Sequence, residues 1–294
     1  MSKIFEAVNK GKDDLADSIR PLIVAAPEQL KSEPPAEVVP VKPSEEPMAQ
    51  AKELLPPQIR RLPLRVAAPS PLFPFDADCW QASEQYRILR AKLGHHPRQP
   101  HLIVISSPGP KDGKSVSAVN IAGALSLKDQ AKVLLLEGDM RRPTLDVRLG
   151  IPKVPGLADI LVGACSLEEA LVQTEEFPNL YVMAAGTTPS NPAELLERAQ
   201  WADLCTRLRS LFRYTIVDSP PMAAVADFDL IQAVCDGVIL VVRPDRTNRD
   251  LCTKSLEHVT KDKLLGVLMN CVPDWLFARN TSYEYYYQTD QRKA

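Results

Sequence analysis

The sequence contains no apolar run of the roughly 18 residues that a membrane-spanning helix requires, and its longest apolar stretches are only strand-sized. Its opening residues carry no apolar core of the kind found in a secretory signal peptide. A charge excess is also absent, because 35 basic and 37 acidic side chains leave a net charge of −2. These absences predict a cytoplasmic protein and argue against nucleic acid as a partner.

Cysteine pairs with metal-binding spacing are missing as well. The six cysteines include no C-x-x-C pair, and none of the four histidines completes a metal-ligand set. We therefore expect reduced, mostly buried thiols rather than a zinc site.

Proline, by contrast, is abundant in one region, since 13 of the 27 prolines fall within residues 21–74. Such a stretch is predicted to form neither strands nor long helices, so we interpret residues 21–75 as a flexible, partly polyproline linker. Residues 1–20 are predicted to begin with a short helix, which is either a docking element or a frayed end without a partner. Residues 76–274 form the predicted folded domain, and residues 275–294 form a polar, tyrosine-rich tail.

Apolar segments alternate with amphipathic ones throughout the predicted domain. Strands that are apolar at every position and separated by helices indicate a parallel sheet buried on both faces. We therefore predict an α/β fold with three layers and a mostly parallel sheet. The predicted strands cover residues 101–106, 132–137, 180–184, 214–218, 237–242 and 265–270.

A Gly-Lys-Ser sequence follows the first of these strands and opens a helix. Backbone N–H groups at a helix N-terminus point at a bound anion, and the helix dipole favours negative charge. In such a loop Lys114 would reach the β- and γ-phosphates of a nucleotide, and the Ser115 hydroxyl would ligate Mg²⁺. The usual first glycine is replaced by Pro108, so Gly109 would supply the tight turn. The candidate nucleotide-binding residues here are Gly109, Lys111, Asp112, Gly113, Lys114, Ser115 and Val116.

Acidic residues stand at the ends of two further strands. Glu137 and Asp139 follow one, and Asp218 ends another, at the edge where ligands of open α/β sheets bind. Asp218 fits the strand-end aspartate that holds Mg²⁺ through water, and Glu137 or Asp139 would orient or deprotonate a nucleophile. Asp227 could lie near the γ-phosphate or cap the next helix.

Two more strands end in polar residues that we include as candidate nucleotide contacts. Arg243 ends one strand at the same edge. Asn270 ends the last strand, where its amide would either read an adenine edge or serve as a turn residue.

The helix predicted over residues 81–93 carries Glu84, Arg87 and Arg90 at intervals of three, and therefore on one side. These side chains either form local surface ion pairs or clamp a carboxylate of a neighbouring subunit.

The C-terminal tail holds four of the seven tyrosines within five positions, at Tyr283, Tyr285, Tyr286 and Tyr287. Segments without a core normally lack aromatic residues, so this cluster needs a reason. It is either a set of phosphoacceptors presented to an active site or an aromatic patch that docks a partner.

The ordered set of these motifs resembles the bacterial tyrosine kinases of capsular and exopolysaccharide biosynthesis, the CpsD/CapB group. The resemblance covers about residues 80–290. It rests on the segments SEQYRILR, SSPGPKDGKS, LLLEGDMRRP, GLADIL, GTTPSNPAELL, YTIVDSPP and LLGVLMN, and on the terminal tyrosines.

The resemblance implies an ATP- and Mg²⁺-dependent kinase that phosphorylates the tail tyrosines between subunits. Lys114 and Ser115 would be the Walker A pair, Asp139 part of Walker A′, and Asp218 the Walker B aspartate. Glu84, Arg87 and Arg90 would assemble the homo-oligomeric ring. The activator would be a separate membrane polysaccharide co-polymerase, which would hold the kinase at the inner face of the plasma membrane.

The sequence departs from the family pattern at one position, and two alternative functions remain open. The family's Walker A′ motif reads D-x-D, whereas Glu137 stands first here, and ~1 Å of misplacement costs ~10²-fold in rate. A MinD/ParA-like switch ATPase would carry a signature lysine at the position of Gly109, which argues against that rival. A weakly active, nucleotide-binding scaffold of the polysaccharide machinery is the second alternative.

Overall fold

The structure, a computed structural model, describes residues 59–66, 80–128, 131–223 and 226–272. The predicted N-terminal helix, most of the predicted linker and the tail with Tyr283, Tyr285, Tyr286 and Tyr287 lie outside these residues. Among the residues described, no helix combines the length and the apolarity needed to cross a bilayer.

Eight strands form one sheet in the order β1-β4-β5-β3-β6-β2-β7-β8. The strands are β1 (Arg60–Leu62), β2 (Leu102–Ser106), β3 (Val133–Glu137), β4 (Val172–Thr174), β5 (Leu180–Met183), β6 (Tyr214–Asp218), β7 (Gly237–Val242) and β8 (Leu264–Met269). Neighbouring strands run parallel except β4 and β5, which pair antiparallel. The prediction of a mostly parallel α/β sheet is confirmed.

Helices separate most of these strands in the chain. They are α1 (Trp80–Gly94), α2 (Lys114–Ser126), α3 (Leu145–Leu149), α4 (Leu157–Leu161), α5 (Leu167–Ala170), α6 (Pro192–Glu197), α7 (Ala199–Leu211), α8 (Asp227–Val234) and α9 (Arg249–His258). The amphipathic segment of residues 192–211 forms two helices, because Arg198 adopts an extended backbone between α6 and α7.

The central strands are buried at every position because both faces of the sheet are covered. Alternate residues of one strand enter two separate cores: Leu102 and Val104 belong to one, Ile103 and Ile105 to the other. A strand buried on both faces gains from an apolar side chain at each position. This double burial explains the uninterrupted apolar runs of the sequence.

The edge strand β1 corrects the prediction that residues 21–75 form no strand. Arg60–Leu62 pairs in parallel with β4, and Leu62, Leu64 and Val66 pack against the core. Proline is tolerated beside an edge strand because only one side of that strand needs ladder hydrogen bonds. The high proline content led us to predict a linker where residues 60–62 add a strand to the sheet.

Candidate active site

Three adjacent strands bring the predicted catalytic residues together. In the order β3-β6-β2, the carboxyl ends of these strands are neighbours, and Glu137 lies opposite Asp218 in the register. The Gly-Lys-Ser loop follows β2 and leads into α2. Segments that are far apart in sequence therefore meet at one edge of the sheet.

The loop enters α2 through Gly113, which has a φ of +98° and caps the helix without a side chain. A Cβ at this position would collide with the Nδ2 of Asn270. The first N–H groups of a helix have no partner within the helix. The N-terminus of α2 therefore provides N–H donors and a positive dipole end, which suit an anion.

Lys114 lies between the two strand-end aspartates. Its Nζ is 3.2 Å from Oδ2 of Asp139 and 3.4 Å from Oδ1 of Asp218. It also lies 3.4 Å from Oγ of Ser115. The other oxygen of Asp139 accepts a hydrogen bond from the backbone N–H of Arg142. The structure thus brings together four of the predicted site residues around one ammonium group.

Asp218 is the most deeply buried acid of this group. Its side chain is 1% exposed, and its Oδ2 has no hydrogen-bond partner among the residues that the structure describes. Burial raises the pKa of this carboxyl, and the Lys114 ammonium opposes that shift.

These residues fit a magnesium site. Mg²⁺ binds few protein carboxylates and completes its shell with phosphate oxygens and water. The unpartnered Oδ2 of Asp218, the Ser115 hydroxyl and the Asp139 carboxylate supply hard oxygen donors beside the helix N-terminus. If the Lys114 ammonium moved away, Oδ2 of Asp139 and Oδ1 of Asp218 would also be available to a cation.

Glu137 has a different environment from the one expected for a general base. Its side chain is fully buried, and its two oxygens accept hydrogen bonds from the backbone N–H groups of Thr144 and Leu145 at 2.8 and 2.9 Å. Burial raises the pKa of Glu137 to about 8, while these two N–H groups favour the charged form. Glu137 therefore anchors the start of α3, and its role toward a tyrosine stays a prediction.

Asp227 is paired with Arg141, a contact that the sequence analysis did not identify. The guanidinium donates to both carboxylate oxygens, at 2.8 and 2.9 Å, and Asp227 is fully buried. The pair joins the segment after Asp139 to the first residue of α8. A planar fork of this kind fixes orientation as well as charge.

Asn270 contacts the loop, whereas the recorded side-chain contact of Arg243 is with a residue just after β7. The side chain of Arg243 lies 3.9 Å from a carboxylate oxygen of Asp245. The amide of Asn270 donates to the backbone oxygen of Asp112 and accepts from the N–H of Cys271. The described contacts of the Asn270 side chain are thus with backbone groups. Recognition of adenine by this amide stays a prediction.

The three charged residues of α1 divide between the surface and the interior. Arg87 and Glu84 form an ion pair of 3.2 Å in which the arginine side chain is 53% exposed. Arg90 instead donates to the backbone oxygen of Ala124 in α2. Local contacts are therefore present, and the subunit contact stays a prediction.

The chain is similar to known proteins in both sequence and structure. No family model matches the chain. The tyrosine-protein kinase YwqD of Bacillus subtilis is 34% identical over 208 residues, which cover 69% of this chain and 86% of that kinase. The crystal structure of the chimerical protein CapA2B2 superposes with a TM-score of 0.61 at 33% identity, covering 65% of this chain and 84% of the other.

The division-site protein MinD of Pyrococcus horikoshii, solved with Mg-ADP, shares the fold. Its TM-score is 0.50 at 23% identity, over 57% of this chain and 69% of MinD. The kinases match over more of the chain and at higher identity. By this comparison and by the motifs assembled at its sheet edge, the chain belongs to the bacterial tyrosine-protein kinases.

Proposed function

We propose that this kinase binds ATP with Mg²⁺ at residues 108–115 and transfers the γ-phosphoryl group to Tyr283, Tyr285, Tyr286 and Tyr287 of a neighbouring copy. One observation carries the proposal: Lys114 lies 3.2 and 3.4 Å from the carboxylates of Asp139 and Asp218 at the start of α2. A cation and two acids at a helix N-terminus supply the parts that phosphoryl transfer requires.

In this proposal Lys114 changes partners when nucleotide binds. Without nucleotide its ammonium neutralises the two aspartates. With nucleotide it would turn to the β- and γ-phosphates, beside the backbone N–H groups of the loop. Asp218 and the Ser115 hydroxyl would then hold Mg²⁺ directly and Asp139 would do so only through water, and the ion supplies charge neutralisation at the transferring group.

The acceptor tyrosine needs a base because its pKa is near 10. Asp139 is the better placed candidate, since one of its oxygens contacts only Lys114 among the described contacts. Both oxygens of Glu137 are engaged by backbone N–H groups. Glu137 would act less directly, by fixing the strand end from which Asp139 projects.

We further propose that Glu84, Arg87 and Arg90 contribute to a ring of subunits. A separate membrane polysaccharide co-polymerase would activate the kinase at the inner face of the plasma membrane, in control of capsule or exopolysaccharide synthesis. Support comes from the kinase relatives and from the exposed Glu84–Arg87 pair, which is accessible to a second subunit.

The test is phosphorylation of the purified full chain with Mg-ATP, with phosphate mapped by mass spectrometry. We expect label on the tail tyrosines and its loss in Lys114→Met. Lys128→Met is the matched control, because Lys128 lies beyond the other end of α2, about 20 Å away by helix rise. Label that persists in Lys114→Met would contradict the proposal.

The same assay separates the two alternatives. Phosphate release without labelled tyrosine would indicate the MinD/ParA-like switch ATPase. Neither label nor release, in protein supplied with a co-polymerase fragment, would indicate the scaffold.

A further inference from the structure

The side chain of Asp112 lies inside the phosphate-binding loop, and it is 2% exposed. One carboxylate oxygen accepts a hydrogen bond of 3.1 Å from the backbone N–H of Gly109. The other accepts one of 2.9 Å from the hydroxyl of Thr247. Both oxygens are thus used within the protein, so this negative charge is turned away from the place where phosphates would bind.

Thr247 and Asn270 connect this carboxylate to two further loops. The Thr247 hydroxyl oxygen accepts from the backbone N–H of Arg243, at 2.8 Å, so it is tied to the end of β7. Asn270, just after β8, donates from Nδ2 to the backbone oxygen of Asp112 at 2.9 Å. Side chain and backbone of Asp112 therefore join three loops that follow neighbouring strands of the sheet.

The backbone on either side of Asp112 needs support. Lys111 has a φ of +68°, and Gly113 a φ of +98°. A left-handed conformation is unfavourable for a residue with a Cβ, and it persists where surrounding contacts impose it. Asp112, which lies between these two residues, carries hydrogen bonds that hold this part of the loop in place.

We propose that Asp112 is a positioning residue, which clasps the phosphate-binding loop to Thr247 and Asn270 so that its N–H groups face the nucleotide before binding. The inference rests on the proposed function, because it concerns how the loop receives ATP. A loop that is ordered in advance loses less conformational freedom on binding, so its ligand binds more tightly. Asp112 thereby acts on affinity without touching the ligand.

The geometry distinguishes Asp112→Asn from Asp112→Ala. In Asp112→Asn the remaining oxygen can accept from Gly109, and the new amide can donate to the hydroxyl oxygen of Thr247. In Asp112→Ala both bonds are lost. Thr247→Val removes the bond to Asp112, together with the bond that the hydroxyl accepts from the Arg243 N–H, and leaves the Gly109 contact in place.

The experiment measures Mg-ATP affinity by calorimetry, thermal unfolding, and hydrogen exchange of the 107–113 peptide without nucleotide. We expect Asp112→Ala to weaken ATP binding about 10-fold or more, and Asp112→Asn to stay within about 3-fold of wild type. Thr247→Val should fall between them. Adding Thr247→Val to Asp112→Ala should weaken ATP binding little further, because the Asp112–Thr247 bond is already absent. It should still lower Tm, because the Arg243 N–H loses its acceptor. Exchange at the 107–113 peptide should accelerate in Asp112→Ala and Thr247→Val.

Asp203→Ala and Thr206→Val, on the exposed face of α7, are the matched controls and should leave affinity and exchange unchanged. Wild-type affinity and exchange in folded Asp112→Ala would overturn the clasp while leaving the proposed function intact. If Asp112→Ala does not fold, equal affinity of Thr247→Val and wild type would overturn it. Absence of ATP binding by the wild-type protein would instead overturn the proposed function, and the exchange measurement would still report on the clasp.

Discussion

Replacing Gly113 with alanine tests the loop geometry most directly. An alanine at the observed φ of +98° costs ~1–2 kcal/mol in backbone conformation. Its Cβ would also collide with the Nδ2 of Asn270. The amide must then move, and its 2.9 Å hydrogen bond to Asp112 is lost, at ~1 kcal/mol. We therefore expect the folded state to lose about 2–3 kcal/mol.

For a domain of this size that loss lowers Tm by about 5–10 °C, which differential scanning calorimetry resolves. Gly163→Ala is the matched control: Gly163 has a φ of +78°, and a Cβ there meets no atom within 4 Å. It should show the conformational cost alone, about 1–2 kcal/mol, and unchanged nucleotide affinity.

Asn270→Ala completes the test, because it removes the group with which the new Cβ collides. The double variant Gly113→Ala/Asn270→Ala should lose less stability than the sum of the losses in the two single variants. Equal Tm losses in Gly113→Ala and Gly163→Ala, or full additivity with Asn270→Ala, would refute the reasoning that Asn270 packs against this glycine.

Three further substitutions probe carboxylates that are buried or partly buried. Arg141→Met leaves the fully buried carboxylate of Asp227 without its partner, and we expect a loss of about 2–4 kcal/mol in urea unfolding. Above the Glu137 pKa of about 8, where the carboxyl is charged, Glu137→Gln places an NH₂ group against one of two backbone N–H donors and should cost about 1–2 kcal/mol. Burial alone would raise the pKa of Asp236, but Arg209 and two backbone N–H groups hold it below its ordinary value of 3.8. The stabilisation from this carboxylate is therefore complete above pH 3.8 and is lost as pH falls through the lower folded pKa. The Tm difference between wild type and Asp236→Asn should shrink accordingly at acid pH.

Surface substitutions provide the controls for these three. Arg207→Met breaks an exposed ion pair with Glu168 and should cost at most about 0.5 kcal/mol. Glu197→Gln lies on the exposed side of α6 and should be neutral. A loss in Arg141→Met no larger than in Arg207→Met would contradict the buried-pair argument, as would a pH-independent Tm difference for Asp236→Asn.

The sequence was sufficient to predict the elements that depend on neighbouring residues. Strands buried on both faces must be apolar throughout, so β2, β3, β5, β6 and β7 were visible as runs. The last predicted strand, β8, was also an apolar run although it is only partly buried. A Gly-Lys-Ser segment between a strand and a helix predicted a helix N-terminus at the sheet edge, and α2 begins there. The carboxyl ends of parallel strands share one edge, so the proximity of Lys114, Asp139 and Asp218 followed from topology.

Local signals were insufficient where partners are distant along the chain. β1 forms in a proline-rich segment because β4, 112 residues later, offers an open edge for Arg61 and its neighbours. Its three residues carry too little pattern to indicate a strand by themselves.

The sequence by itself determined which chemical groups reach the edge of the sheet, because the apolar runs and the polar residues that end them are encoded locally. Only the tertiary structure decided how those groups are used. Glu137 accepts two N–H bonds at the start of α3, Asn270 donates to the backbone of the loop, and both oxygens of Asp112 are bonded within the protein. Each outcome depends on which hydrogen-bond donor lies within about 3 Å, and that distance is set when separate loops pack together.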